Sequence, residues 1–417
     1  VLFSFHYFPD QSPGSTRSKA LISALIDEDT NVKIWLLCSL PRRYNQWRGM
    51  SSDSFSELLQ KSNINKRVII KRFWIPSLGN SIPSQLLSYL FYAVQALLYS
   101  LIIKPNIIIA TSAKLLTSLI ATISSRITGS LIYIDIRDTF SDNYFYFYRF
   151  RKRIIFQSLI MVVENIILNN AHSINFISPG FNHAFNGLER ILQKKSITFT
   201  NFTNGIDQDI QKRIKSITTP KVKSNDVYRI IYAGNLGEGQ DLVSLIKSFS
   251  KNKNTLDELI NSNIKLELYG SGSQLDEIKQ LICLRSGNKS KKTINNVVSY
   301  CGLVSKDEIL NIYKNADCLL LQVANFASLS MVIPSKIFEY AATPYPIIYS
   351  TAGFTSSFIA KISGTIPYDF TGSNTFLEAC KKLNKVEVDL DQRNKFLTYY
   401  NSHRIYKSYA SHILENI

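Results

Sequence analysis

The sequence predicts an α/β chain built from two tandem Rossmann-like, doubly wound domains, and three observations carry that prediction. Short apolar runs of strand length recur along the chain, helix-length segments separate most of them, and a second series of the same kind begins after "FTNGID" at residues 202–207. Strands covered on both faces read as near-continuous apolar runs, and their alternation with helices implies parallel sheets built from βαβ units. The length of 417 residues exceeds the size at which one hydrophobic core keeps growing, and a hydrophobic content of 45% is ample for two.

In the first half, "VLFSFHYF" (1–8) reads as a strand, "PDQSPGST" as a Gly-containing loop and "RSKALISALIDE" as a helix. Further strands are expected at "NVKIWLLCS" (31–39), "KRVIIKRF" (66–73), "NIIIATS" (106–112), "LIYIDI" (131–136) and "SINFISP" (173–179). In the second half they are expected at "YRIIYAGN" (228–235), "IKLELYGSG" (264–272), "VVSYCG" (297–302), "CLLLQV" (318–323) and "PIIYS" (346–350). The helices "DLVSLIKSFS", "QLDEIKQLICLR" and "KDEILNIYKNA" fall between these. The domains are therefore placed at 1–205 and 206–375, with 376–417 as helices returning toward the first domain. Their strands' carboxyl ends would line a cleft between them, the usual place for a ligand in such folds.

The net charge of +17 predicts attraction to polyanions, whether nucleic acid, anionic lipid or a negatively charged substrate, although a Lys/Asn/Ile-rich composition also fits genome bias. Both halves are basic, and no recognisable nucleic-acid module or basic tail stands out, so no nucleic-acid partner is expected. The five scattered cysteines lack metal or disulfide spacing and read as reduced thiols of a cytosolic protein. The opening stretch has none of the features of a signal peptide. The uncharged "LLSYLFYAVQALLYSLII" (86–103) is long enough to cross a bilayer, but it contains Ser, Tyr and Gln and runs at once into a strand. It is read here as a helix packed on a sheet. "YFYFYRFRKRIIFQSLIMVV" (144–163) mixes aromatic rings with Arg149, Arg151, Lys152 and Arg153, a composition suited either to a membrane interface or to a solvated helix end.

Three stretches of the second half carry chemistry. "YAGNLGEGQDL" sets Gly234, Gly237 and Gly239 between a strand and a helix, where backbone amides can face an anion, or where glycine marks an ordinary turn. "LYGSGSQLDEI" repeats the arrangement with Gly270 and Gly272 ahead of a helix that Ser273 could cap. In "IPSKIFEYAATPYPIIYS" (333–350), Pro334 suits a first helical turn and places Lys336 and Glu339 on one face of an otherwise apolar helix. The charges could pair with each other; alternatively, the carboxylate could accept two ribose hydroxyls while the ammonium meets a diphosphate.

In their order and spacing, "FHYFPDQSPGSTRSKAL", "IDIRDTFSD", "FISPGF", "TNGID", "IIYAGNLGEGQDL", "LYGSGS", "CGLVSKDEILNIYKNADCLLL" and "PSKIFEYAATPYPII" resemble the GT-B glycosyltransferases. In particular they resemble the retaining, family-4-like group that includes bacterial O-antigen and capsule fucosamine-type transferases. The resemblance implies that Glu339 holds the donor ribose and that Lys336 lies near the diphosphate. It also implies that the Gly14 backbone approaches the donor phosphates and reacting sugar, and it places Arg17 within reach of the same anion. Two departures are visible: Met331 stands where the group carries a sugar-binding glutamate, which favours a deoxy or acetamido sugar, and Asn235 and Gln240 stand where many relatives carry arginine and lysine.

In "IDIRDTFSD", Asp138 with Arg137 beside it is the candidate for positioning substrate or accepting the acceptor hydroxyl's proton, the alternative being a structural ion-pair network with Asp135. His6, at the end of the first strand, completes the catalytic candidates; His172, His183, His403 and His412 show no ligand spacing. No metal and no cofactor are expected, since helix dipoles and basic groups can stabilise a departing nucleoside diphosphate. The expected function is transfer of a sugar from a nucleoside diphosphate donor, a UDP-sugar, to a lipid-linked glycan acceptor in surface polysaccharide synthesis. The expected location is the cytoplasm, at the anionic inner face of a bacterial plasma membrane. The competing readings are a UDP-sugar epimerase, which would interconvert free donor without an acceptor, and a basic nucleic-acid-binding protein, whose binding would be steeply salt-dependent.

Overall fold

The structure, a computed structural model, describes residues 1–10, 13–41, 66–76, 82–111, 115–138, 153–183, 197–217, 228–283, 293–370 and 375–415. It divides into two compact units, Val1–Asn204 with Ser402–Ile417, and Gly205–Asn401. Each contains one all-parallel sheet.

In unit 1 the strands are β1 (Leu2–Phe3), β2 (Ile34–Ser39), β3 (Val68–Phe73), β4 (Ile107–Thr111), β5 (Leu131–Ile136), β6 (Ser173–Phe176) and β7 (Thr198–Thr200). They lie in the order β3-β2-β1-β4-β5-β6-β7. Among the described residues before 205, its helices are α1 (Pro13–Glu28), α2 (Ile82–Ile103), α3 (Leu115–Thr128) and α4 (Arg153–Asn170).

The first strand, Leu2–Phe3, is much shorter than the eight residues expected, although backbone pairing with β2 runs on: Ser39 N donates to Phe5 O (3.0 Å), and Leu37 O accepts at 3.1 Å from the backbone of Ser4. The Ser4 hydroxyl donates to His6 O (2.9 Å) and lies 3.0 Å from Ser18 Oγ. The short edge strand β7 was not anticipated.

The uncharged helix α2 is indeed laid against the sheet. Tyr89, Tyr92, Ala93 and Ala96 are buried, Tyr92 donates to Leu37 O of β2 (3.0 Å), and Ser100 meets Ser124 of α3 (2.6 Å). Of the aromatic and basic stretch 144–163, residues 144–152 lie outside the described residues, and only its C-terminal part is seen, within α4.

Unit 2 follows with β8 (Tyr228–Asn235), β9 (Ile264–Ser271), β10 (Val298–Gly302), β11 (Cys318–Gln322), β12 (Ile347–Ser350) and β13 (Thr365–Pro367). The sheet order is β10-β9-β8-β11-β12-β13. Successive residues of a strand point to opposite faces, and here both faces are apolar. Ile230, Leu266, Leu268, Leu320 and Ile348 enter one core, while Ile231, Ala233, Leu319, Leu321 and Ile347 enter the other.

The helices of unit 2 are α5 (Gln208–Ile217), α6 (Leu242–Lys251), α7 (Lys253–Asn261), α8 (Leu275–Cys283), α9 (Lys306–Tyr313), α10 (Lys336–Ala341), α11 (Gly353–Ile359), α12 (Thr375–Lys382) and α13 (Leu390–Tyr399). Side chains fix where several of them start. Asp241 accepts from Ser244 N ahead of α6. Ser305 and Glu308 form a reciprocal capping box at α9, with Glu308 N to Ser305 Oγ at 3.2 Å and Ser305 N to Glu308 Oε2 at 2.7 Å.

The expected boundary at 376 is corrected by these contacts. Helix α13 belongs to unit 2, where buried Arg393 donates to Thr343 O (2.7 Å), Tyr345 O (2.9 Å) and Ser363 O (2.8 Å). Only α14 (Ser402–Leu414) joins unit 1, packing its Tyr409, Ala410 and Ile413 with Leu21, Ile22 and Leu25 of α1.

Candidate functional site

In unit 2 the carboxyl ends of β8 and β9 run in register, Gly234 beside Gly270 and Asn235 beside Ser271. The ladder continues into the loops: Leu236 N donates to Ser271 O and Gln274 N donates to Leu236 O, both at 2.9 Å. Two of the predicted glycines follow from this approach. A Cβ on Gly270 would collide with the carbonyl of Gly234, and one on Gly272 with the backbone of Leu236. Their glycine identity is thus explained by one loop lying on the other. Gly237 sits beside the Asn235 amide, which itself donates to Gln240 Oε1 (2.8 Å).

Gly234 is different, because what occupies the space of its missing side chain is the ammonium of Lys336. Helix α10 delivers that ammonium across the strand end, 4.9 Å from the centroid of the Tyr232 ring. The Tyr232 hydroxyl is turned aside to donate to Asn235 O (2.6 Å). Lys336 Nζ is buried and has no hydrogen-bond partner among the described residues. Burial pushes its pKa down from 10.5 to about 8, against the opposing pull of the Glu339 carboxylate.

Glu339 lies in the first turn of α10. Tyr313, at the end of α9, donates to its Oε2 (3.2 Å), and burial followed by the nearby carboxylate pushes the Tyr313 phenol well up, so that it stays a neutral donor. The sequence offered two readings of this pair, and the structure shows that Lys336 Nζ forms no hydrogen bond with Glu339: an unsatisfied cation and a tethered carboxylate lie within one turn of α10. Met331 ends a short helical turn, Leu329–Met331, that Thr355 of α11 holds by donating to Val332 O (2.7 Å) and Leu329 O (3.1 Å).

In unit 1, Arg17 corrects the sequence reading. Rather than reaching for an anion, it is buried with every guanidinium nitrogen engaged. Nε and Nη2 hold Asp135 bidentately (2.7 Å each), Nη2 also donates to Phe202 O (2.7 Å), and Nη1 contacts Thr203 O, Asn204 Oδ1 and Tyr406 OH. Asn175 closes the network onto Asp135 Oδ1 (2.7 Å). Such a group has no donor left for a ligand.

Within the suspected cluster of Asp135, Arg137 and Asp138, Arg17 holds Asp135 by hydrogen bonds, while Arg137 interacts electrostatically with Asp138, Arg17 and Asp135. Arg137 and Asp138 follow β5 as a half-buried pair. Burial depresses the Arg137 guanidinium while Asp138 opposes it, and burial raises the Asp138 carboxyl while Arg137 opposes it. His6 Nδ1 lies 3.5 Å from Asp10 Oδ2. Gly14 is buried in the first turn of α1 rather than in the preceding loop.

Sequence reasoning missed Tyr232, Tyr313 and Tyr340, which surround the charged pair. Their apolar spacing reads as core, and core they are, with hydroxyls that reach the site or its backbone; Tyr340 accepts from Ala233 N (3.5 Å).

Two all-parallel sheets, in the orders 3-2-1-4-5-6-7 and 3-2-1-4-5-6 by position within each unit, define the GT-B fold. Among solved structures with this architecture is the lipopolysaccharide outer core galactosyltransferase WaaB (TM-score 0.60, 13% identity, covering 100% of this chain and 99% of that one). HepE from Anabaena in complex with UDP-glucose is another (0.61, 14%, 100% and 99%). Sucrose-phosphate synthase from Thermosynechococcus elongatus is a third (0.69, 12%, 99% and 98%). No family model matches the chain, and no curated protein matches it in sequence.

Proposed function

We propose that this chain is a glycosyltransferase that takes a sugar from a UDP-sugar donor and passes it to a lipid-linked glycan acceptor in bacterial surface polysaccharide synthesis. The observation that carries the reading is the unsatisfied Lys336 ammonium, one helical turn from the tethered Glu339 carboxylate. A buried cation without a partner is costly unless an anion completes it. A carboxylate fixed beside that anion can accept a pair of vicinal ribose hydroxyls.

The donor's diphosphate would sit against Lys336 and the backbone at Gly234, with its ribose on Glu339. Met331 would replace a polar sugar contact by a thioether, favouring a deoxy or N-acetylated hexose. The bond from the anomeric carbon to the diphosphate oxygen breaks and one to the acceptor oxygen forms, with retained configuration. Asp138, its carboxyl raised by burial and held beside Arg137, takes the acceptor proton or positions the acceptor. Lys336 offsets the charge that develops on the leaving diphosphate, so the reading requires no metal. The UDP and UDP-glucose complexes of HepE lend support to a uridine donor.

The test is a thermal-shift screen with UDP, GDP and dTDP sugars. A ligand at about a hundred times its Kd stabilises by about 2.7 kcal/mol. The right nucleotide raises the melting temperature of the wild type, and Glu339→Ala removes that rise. An equal rise in the variant would overturn the assignment of the ribose contact.

A further inference from the structure

The face of unit 1 that α2, α3 and α4 turn away from the sheet is apolar where a water-facing helix layer should be polar. Their three crossovers run in the same direction across the sheet, which places them in one layer, and α3 packs against both neighbours. On α2, Leu90, Val94, Leu98 and Ile102 are 50%, 57%, 56% and 77% exposed. Ile127 of α3 is 60% exposed and Val162 of α4 is 54% exposed. Most of the large exposed hydrophobic side chains among the described residues lie on these helices. A stripe at helical spacing on each of three adjacent helices is a continuous surface, whereas single exposed apolar residues need no explanation.

Charge distinguishes the possible occupants. Helix α2 carries no charged residue. The one acid on α4, Glu164, is buried. Lys104, just after α2, and Arg126, near the end of α3, are exposed cations at corresponding ends of the layer. A second copy of a chain carrying +17 would be repelled on approach, whereas an anionic lipid surface attracts it. A full membrane crossing by α2 is ruled out in this fold, because its other stripe, with Tyr92 and Ala96, is buried against the sheet. A helix so held lies flat, about 33 Å long by its rise per residue, which is the geometry of an interfacial helix.

We propose that the outward face of α2, α3 and α4 is a docking surface for an anionic lipid monolayer, with the apolar stripes set among the headgroups and the flanking cations on lipid phosphates. The surface belongs to unit 1 and shares no residue with the nucleotide site of unit 2, so it stands apart from the donor reading.

Co-sedimentation with phosphatidylcholine vesicles, with and without phosphatidylglycerol, tests it. The wild type is expected to bind the mixed vesicles and to release as salt rises. The variant Val94→Glu with Leu98→Glu, and separately Ile127→Glu, should each lose about tenfold or more in binding with unchanged circular dichroism, since charge is costly at such a depth. Failure of the wild type to bind anionic vesicles would overturn the proposal. So would full binding by both folded variants, or a wild-type dimer that Val94→Glu with Leu98→Glu dissociates. A UDP-induced thermal shift measured on the same samples reports the donor site alone, so the two readings fail separately.

Discussion

Lys336 shows how a single side chain can carry a functional argument. Its ammonium lies over the Tyr232 ring in the space left by the missing side chain of Gly234. Neither feature replaces the hydration it has lost, so the free protein is penalised for holding the charge. Lys336→Met, similar in length and uncharged, should therefore raise the melting temperature of the free protein while losing the UDP-dependent shift; each kcal/mol gained corresponds to about 2–4 °C in a domain of this size.

The pH dependence follows from the same group. With the folded pKa near 8 and the ordinary value at 10.5, the unfolded chain holds more protons between those limits, so this lysine's penalty fades as pH rises through that window. A bound diphosphate favours the charged form. UDP binding above about pH 8 should then take up a proton, and affinity should fall by up to about tenfold per pH unit toward 10.5. Calorimetry in buffers of different ionisation enthalpy measures that proton directly. A heat of binding independent of buffer near pH 9 would remove Lys336 from the contact.

At the scale of elements, the three strand-end glycines separate by what their absent side chains would strike. A Cβ at Gly234 meets the far end of a flexible lysine, whereas one at Gly270 or Gly272 meets backbone of the adjoining strand or loop. Gly234→Ala, at a φ of +159° that L-residues rarely adopt, should cost some stability and should lose nucleotide binding by displacing Lys336. Gly270→Ala should lower thermal stability more, the carbonyl of Gly234 having nowhere to go while β8 and β9 stay paired. The pattern of folding and binding across these variants, read by circular dichroism and thermal shift, would distinguish a ligand-facing glycine from one required by packing.

The sequence could not make that distinction, because a Gly-rich loop looks the same whichever neighbour requires it. Strands with both faces apolar, such as β5 and β8, were legible to the residue. The edge strands β7 and β13 were not, since three residues carry no period and β13 ends on Pro367. Lys336 and Glu339 were legible as charges out of place on an apolar helix. Tyr313 was hidden among core positions until its hydroxyl was seen on Glu339.

For the whole molecule, the informative residue is the one whose role the sequence suggested wrongly. Arg17 looked like a free cation beside a glycine, for nothing nearby reveals partners at Asp135, Phe202 and Tyr406. In the fold it fastens α1 to β5, to the segment leaving β7 and to α14. The last helix of the chain thereby completes the unit that the first strand began. Removing one member of a buried ion pair leaves the other uncompensated, at about 3–5 kcal/mol. Arg17→Ala should therefore loosen unit 1 selectively, with faster amide hydrogen exchange in α1, β4, β5 and α14. Exchange in β8, β9 and β11, which have their own cores, should be little changed, and the UDP-induced shift from Lys336 and Glu339 should persist. Exchange that accelerates equally in both sheets would mean that the two units unfold as one and that the Arg17 network serves the chain as a whole.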